Sequence, residues 1–280
     1  MLWIALLYAV AQGIVQGITE WLPVSSTGHI LLLDAVWPMQ TTLGPEFFDV
    51  FKVIIQLGSI MAVVVLYFHK LNPFSPKKTK AEQTGTWVLW SKVLVASVPA
   101  AIAGLALDDL IDEKLSVPVV IATTLILYGI GFIIMESKKD RKTTVNTLEE
   151  MSYKHALGIG AFQMLALIPG TSRSGSTILG ASLLGTSRTV AAEFSFFMAI
   201  PVMLGASGLK MAKCFLLDGY TFDATQWLIL GVATVVSFVV SLLVIRGLMA
   251  FIKKHSFKPF GWYRIVLGAV VLGCIALNWL

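Results

Sequence analysis

Charged side chains are scarce in this chain, at 13% of its 280 residues, and cysteine is nearly absent. The two cysteines, Cys214 and Cys274, lie in or at the edge of apolar segments without metal-ligand spacing. They read as filler, and nothing requires a disulfide. No connection between apolar segments is long enough to be a soluble domain. The first eleven residues contain Ala9-Val10-Ala11, which superficially matches a signal-peptidase site, but lack the positive n-region of a signal peptide. They are read as part of the mature protein.

What fills the chain is hydrophobic: 56% of residues, with a mean hydropathy of +0.81. That composition describes an all-α polytopic membrane protein, one integral-membrane domain over residues 1–280, and not a soluble core. The formal net charge of +5 is not a nucleic-acid footprint, because its cations cluster in short loops between apolar spans. Nucleic acid is therefore excluded as a partner.

Segments able to span a bilayer are 50–68, 87–107, 117–135, 191–213, 227–245 and 262–280. Two further pairs are broken: 1–16 with 30–37, and 156–168 with 178–185. Loop cations set the orientation. Lys70, Lys77, Lys78 and Lys80 lie in 69–86; Lys138, Lys139, Arg141, Lys142 and Lys154 in 136–155; Arg246, Lys253, Lys254 and Lys258 in 246–261. The alternate connections 34–49, 108–116 and 214–226 hold only Lys114. The positive-inside rule makes the first set cytoplasmic and the second external. The span from Ala191 must then start inside, so 156–190 enters and leaves on one face as a re-entrant hairpin.

The tip of that hairpin is Pro169-Gly170-Thr171-Ser172-Arg173-Ser174-Gly175-Ser176-Thr177. An arginine at mid-membrane costs roughly 3 kcal/mol on insertion scales, so such a loop survives there only by lining a polar cavity. Hydroxyls, backbone N–H groups before a helix N-terminus and one guanidinium suit a phosphate. A second stretch resembles the first: Gln16-Gly17-Ile18-Thr19-Glu20-Trp21-Leu22-Pro23-Val24-Ser25-Ser26-Thr27-Gly28-His29. Aligning Pro23 with Pro169 gives an offset of 146 residues and sets Ser25 opposite Thr171. The expected architecture is an inverted repeat, with halves of about 1–135 and 150–280 and two re-entrant hairpins meeting near the midplane.

Gln12, Gln16 and Glu20 recur every four residues and share one face of an apolar helix. Glu20 is the only carboxylate among the first 33 residues, and a buried carboxylate needs a partner or a role. Ser26 and His29 are one turn apart if a helix begins near Ser25, which makes Ser25 or Ser26 its N-cap. Hydroxyl, imidazole and carboxylate together are the parts of an activated nucleophile. Arg173 offers a planar fork that binds phosphate oxygens bidentately. Glu193, just inside the next span, is either structural or a help in holding a cation.

The stretches 16–29 and 169–177 resemble the two signatures of the bacterial undecaprenyl-diphosphate phosphatase, or bacitracin-resistance, family. So do 53–60, 192–201 and 257–264, the last reading Phe-Lys-Pro-Phe-Gly-Trp-Tyr-Arg. The resemblance implies an enzyme of the bacterial plasma membrane, its site opening to the external face, that removes the terminal phosphate of undecaprenyl diphosphate. It implies a divalent cation, Mg²⁺ by all-oxygen ligands with Ca²⁺ the alternative. Carried over by motif, Glu20, Ser26, His29 and Arg173 are catalytic. Ser25, Thr27, Gly170, Thr171, Ser172, Ser174 and Thr177 bind substrate, and Glu20 and Gln16 are the metal candidates. Gln16 departs from the pattern, since many members have glutamate there. The partners are the polyprenyl diphosphate lipid and the bilayer, with a homodimer open beside a monomer. The rival reading is a transporter or flippase of a polyprenyl phosphate carrier, because broken helices in inverted repeats also serve transport.

Overall fold

Within a bilayer a backbone must satisfy its own hydrogen bonds, so the apolar runs become helices wherever proline and glycine allow. A computed structural model describes residues 2–38, 43–138 and 142–280. Its principal helices are α1 (Leu2–Thr19), α2 (Ser26–Val36), α3 (Pro45–Leu66), α4 (Lys80–Leu115), α5 (Pro118–Ser137), α6 (Tyr153–Met164), α7 (Arg173–Leu183), α8 (Arg188–Ala212), α9 (Ala224–Ile252) and α10 (Lys258–Ala276). Among the described residues the only β pairing is one bridge, between Val145 and Thr186.

Seven described helices are long and apolar enough to cross a membrane: α1, α3, α4 over Lys80–Leu107, α5, α8 with its π-helical extension to Leu217, α9 and α10. By contrast, α2, α6 and α7 hold 11, 12 and 11 residues, short of the about 20 that a span requires. Two expectations from sequence need correction. The first apolar segment does not break at Gln16; α1 runs on to Thr19, whose hydroxyl donates to the Val15 carbonyl at 2.7 Å. Polar side chains ride within the helix there, and the chain turns only ahead of Pro23. The connection expected at 108–116 is helical to Leu115, since no proline or glycine occurs from 108 to 117. Residues 39–42 of the cation-free 34–49 connection, and Lys139 and Arg141 of the 136–155 connection, lie outside the described residues.

The helices pack in matched pairs. Helix α1 lies against α9 as α6 lies against α4; α3 lies against α9 as α8 lies against α4; α5 packs on α10 and α3 on α8. At several of these contacts a glycine admits the neighbouring backbone, the usual device for close helix approach in membranes. A β-carbon on Gly13 would lie 2.6 Å from the Ala233 carbonyl oxygen, and one on Gly160 would meet the Ala96 carbonyl. Those glycines are 147 residues apart, as are Gln16 and Gln163. So are Ser25 and Ser172, which precede α2 and α7 with positive φ of 73° and 71°. The correspondence is thus one residue off the proline alignment. The second loop has one more residue between its proline and its helix.

The ends of the α6–α7 pair lie side by side. The amide of Thr144 donates to the Gly185 carbonyl at 2.8 Å and that of Ser187 to the Val145 carbonyl at 2.9 Å. At the far end of the molecule Tyr8 of α1 packs edge-on to Trp37 after α2, with ring centroids 5.5 Å apart. Glu136 joins three helix ends, accepting from Arg188 Nε at 2.8 Å and from the Phe257 amide at 3.2 Å.

Candidate functional site

The two loops that interrupt the apolar helices meet. Arg173, the first residue of α7, directs Nη2 to Glu20 Oε1 at 3.2 Å and Nη1 to the Ser195 carbonyl of α8 at 2.7 Å. Both side chains are buried, at 11% and 6% exposure, so the pair sits where an uncompensated charge would be costly. The guanidinium lies over the Trp21 ring, 5.8 Å from its centroid. Gln16 Nε2 donates to the other Glu20 oxygen at 2.9 Å. The structure therefore joins Gln16, Glu20 and Arg173.

Several expected substrate ligands instead hold the loops together. Ser174 Oγ donates to the carbonyls of Glu20 at 3.0 Å and Leu22 at 3.2 Å, tying the start of α7 to the first loop. Ser172 caps α7 by accepting from the Gly175 amide at 3.2 Å. Thr177 Oγ1 shares a hydrogen bond with Ser195 Oγ at 2.6 Å. Gly170, at φ 86°, lets the second loop press onto α5, where a β-carbon would sit 2.6 Å from the Ile121 carbonyl oxygen. No side chain wider than hydrogen fits there.

Other polar atoms in the same two loops are buried and unpartnered: Trp21 Nε1, Ser25 Oγ, Thr171 Oγ1 and Arg173 Nε. Ser25 holds the N-cap position of α2, yet its hydroxyl makes no cap bond, contrary to expectation. Its φ of 73° is matched by the 71° of Ser172, which does cap α7, so the two loops share a backbone turn but not a cap. Such positive φ values cost of order 1–3 kcal/mol each and concentrate at functional sites. The N-terminus of α2 thus keeps free N–H groups, and that of α7 opens beside it; both carry the positive end of a helix dipole. Donors, hydroxyls and one cation converge around Glu20, which is chemistry suited to a phosphate.

Ser26 and His29 share α2, but the structure does not join them. His29 Nδ1 lies 2.7 Å from the Ser25 carbonyl and Nε2 lies 2.6 Å from the Tyr263 hydroxyl, with the two rings stacked. A carbonyl only accepts, so Nδ1 carries a proton, and in the neutral imidazole Nε2 accepts from Tyr263. The spacing that placed Ser26 and His29 on one face says nothing of this backward bond to the preceding turn. Ser26 is half-buried, and Thr27 is exposed on the same turn. Glu193 pairs with Lys70 at 2.8 Å instead of joining the centre.

Two residues that sequence reasoning left without a role matter here. Tyr263 holds His29. Arg264, fully buried, donates to carbonyls of both loops. The available signal was an arginine six residues inside the apolar run of α10.

As for a divalent cation, no group of three His, Cys, Asp or Glu among the described residues would hold one. Gln16 Oε1 is buried and unpartnered, while both Glu20 oxygens already accept, one from Arg173 and the other from the Gln16 amide nitrogen. A hard cation would take the amide oxygen and a carboxylate oxygen released from one of those bonds, with water and phosphate oxygens as its remaining ligands.

Fold and site together define an all-α, multi-pass membrane protein that encloses a carboxylate–guanidinium centre between two helix N-termini. The chain belongs to the family described as bacitracin resistance protein BacA, which matches residues 9–270. It is 57% identical over 270 residues to the undecaprenyl-diphosphatase of Lactiplantibacillus plantarum, covering 96% of this chain and 97% of that one. It is 54% identical over 274 residues to the undecaprenyl-diphosphatase of Enterococcus faecalis, covering 98% of each, and 53% identical over 278 residues to that of Latilactobacillus sakei, covering 99% and 100%.

Proposed function

We propose that this protein hydrolyses the terminal phosphate of undecaprenyl diphosphate, giving undecaprenyl phosphate and inorganic phosphate and so recycling the lipid carrier of the bacterial cell wall. The observation that carries the reading is the buried Glu20–Arg173 centre between two helix N-termini, in a chain whose relatives bear that name. The polyprenyl tail lies along lipid-facing helices, and the diphosphate enters between the loops. Arg173, Ser25, Thr171, Trp21 and the N–H groups of α2 and α7 take up the charge spread over the phosphoryl oxygens in transfer. Ser26 Oγ attacks the terminal phosphorus and the bond to the bridging oxygen breaks, releasing undecaprenyl phosphate. The serine proton passes to Glu20, or to His29 once it exchanges its present partners, and water then hydrolyses the phosphoserine. Direct attack by water is the alternative route. A divalent cation, Mg²⁺ by its oxygen ligands, bound at Glu20 and Gln16, would neutralise diphosphate charge.

The test is phosphate release from a polyprenyl diphosphate by the purified protein in detergent, with and without chelator. Release that the chelator abolishes and Mg²⁺ restores is expected. A protein that releases none yet moves lipid carrier across vesicles would be a transporter.

The matched helix pairs and the 147-residue correspondences support two inverted repeats, each with a re-entrant hairpin, in the plasma membrane. The loop cations favour 69–86 inside and 214–226 outside, and the family resemblance implies a site open to the external face. In a background free of Cys214 and Cys274, Leu217→Cys should react with an impermeant thiol reagent from outside, and Lys77→Cys should not. Both positions are exposed on the protein surface. The opposite labelling pattern inverts the topology.

A further inference from the structure

Arg264 has an environment that a lipid-phase arginine rarely tolerates. It is 0% exposed, and no carboxylate partners it among the described residues. Its hydrogen bonds go to main-chain carbonyls alone: Nη1 to Pro23 at 3.1 Å, Nη2 to Gly170 and Thr171 at 2.9 Å each, and Nε to Leu125 of α5 at 3.4 Å. The Tyr128 ring lies beneath it, 5.5 Å from centroid to guanidinium carbon. Pro23 follows Glu20 by three residues, and Thr171 precedes Arg173 by two. One planar side chain thus spans two loops 147 residues apart and sets the distance between the two members of the buried ion pair. Thr124 adds a lesser tether, donating to the Pro169 carbonyl at 2.8 Å. With Glu20 and Arg173 cancelling, Arg264 also leaves the centre one positive charge in excess, which an anionic substrate would neutralise.

We propose that Arg264 is a positioning residue for phosphoryl transfer. It registers the Glu20 loop against the Arg173 loop, and its charge raises the affinity of the centre for the diphosphate. The inference rests on the phosphatase reading for its kinetic arm only. Lysine keeps the charge, but a single ammonium cannot reach three carbonyls in two loops at fixed angles. In purified Arg264→Lys, hydrogen exchange should quicken together in 20–25 and 168–173, while α3 and α9 keep wild-type protection. Because a misplacement of about 1 Å costs on the order of 100-fold, kcat should fall about 100-fold with KM little changed. Arg264→Gln should lose as much kcat and raise KM besides, by about tenfold, the charge being gone. A purely structural role would lower the folded fraction and leave kcat and KM of the folded molecules unchanged. Wild-type exchange in both loops of a folded Arg264→Lys, or wild-type turnover, overturns the proposal. Where both Arg264 variants fail to fold, Thr124→Val decides. A several-fold loss of kcat with faster exchange in 168–173 sustains the clamp, and a wild-type rate overturns it. If the wild type itself releases no phosphate, the phosphatase reading fails while the exchange arm still judges the clamp.

Discussion

Arg173→Lys is expected to reduce phosphate release by about 100-fold or more while the protein stays folded, since losing one preorganised donor at a developing charge costs about that much. The guanidinium makes two commitments and keeps a third nitrogen uncommitted. Nη1 holds the Ser195 carbonyl, Nη2 holds Glu20, and Nε is buried without a partner beside them. Only a planar fork can keep the first two and still offer a donor to a phosphate oxygen. Lysine places one nitrogen at the end of a flexible stem. If it stays with Glu20, the Ser195 carbonyl is left unsatisfied and no donor remains for the substrate. If it turns to the substrate, Glu20 is left as an unpaired buried anion. The measurement is phosphate release across a substrate series, with thermal melting in detergent as the control for folding. A lysine variant with near-normal turnover would reduce Arg173 to a nonspecific charge.

The second large effect is expected at Ser26. If its hydroxyl is the phosphoryl acceptor, Ser26→Ala abolishes release while the protein still binds the diphosphate through Arg173 and the helix N-termini. Ser26→Cys should recover little, because the larger sulfur is displaced and accepts phosphoryl groups poorly. The neighbouring serine provides the contrast. On spacing alone, Ser25→Ala would lose a helix cap worth about 1 kcal/mol. Since Ser25 Oγ makes no cap bond, that loss is not expected, and what Ser25→Ala removes is a buried hydroxyl facing no protein partner. A rise in KM with stability unchanged is therefore the expected Ser25→Ala phenotype. Should Ser26→Ala retain a tenth or more of the wild-type rate, attack by water becomes the better account.

Much of the site was legible before any coordinates. A carboxylate in an apolar helix and an arginine in a proline- and glycine-broken loop are expensive in lipid, and their cost makes them visible one residue at a time. Glu20 and Arg173 were found that way, Gln16 by its spacing and the resemblance, and the structure brings the three together. Arg264 ends the quoted stretch 257–264, but its role escaped because its partners are backbone carbonyls, which every residue carries. Ser174 and Thr177 looked like ligands for the same reason in reverse. A hydroxyl in a loop reads alike whether it holds a phosphate or the carbonyl of Glu20. Ser26 and His29 share a helix face by spacing, but the choice of His29's partners lay with Tyr263, 234 residues away.

By itself, then, the sequence determined the class of protein: apolar runs long enough to span, cations gathered in alternate connections, and two broken segments too polar to face lipid. These follow from transfer energies that act residue by residue and need no knowledge of neighbours. Only the tertiary structure decided how the pieces meet. The one-residue shift between the two loops, and the carbonyls that claim Arg264 and Ser174, depend on contacts between segments far apart in the chain. Hydrogen-bond partnership is a property of pairs, and the Glu20–Arg173 and Glu20–Ser174 pairs form across 153 and 154 residues of sequence.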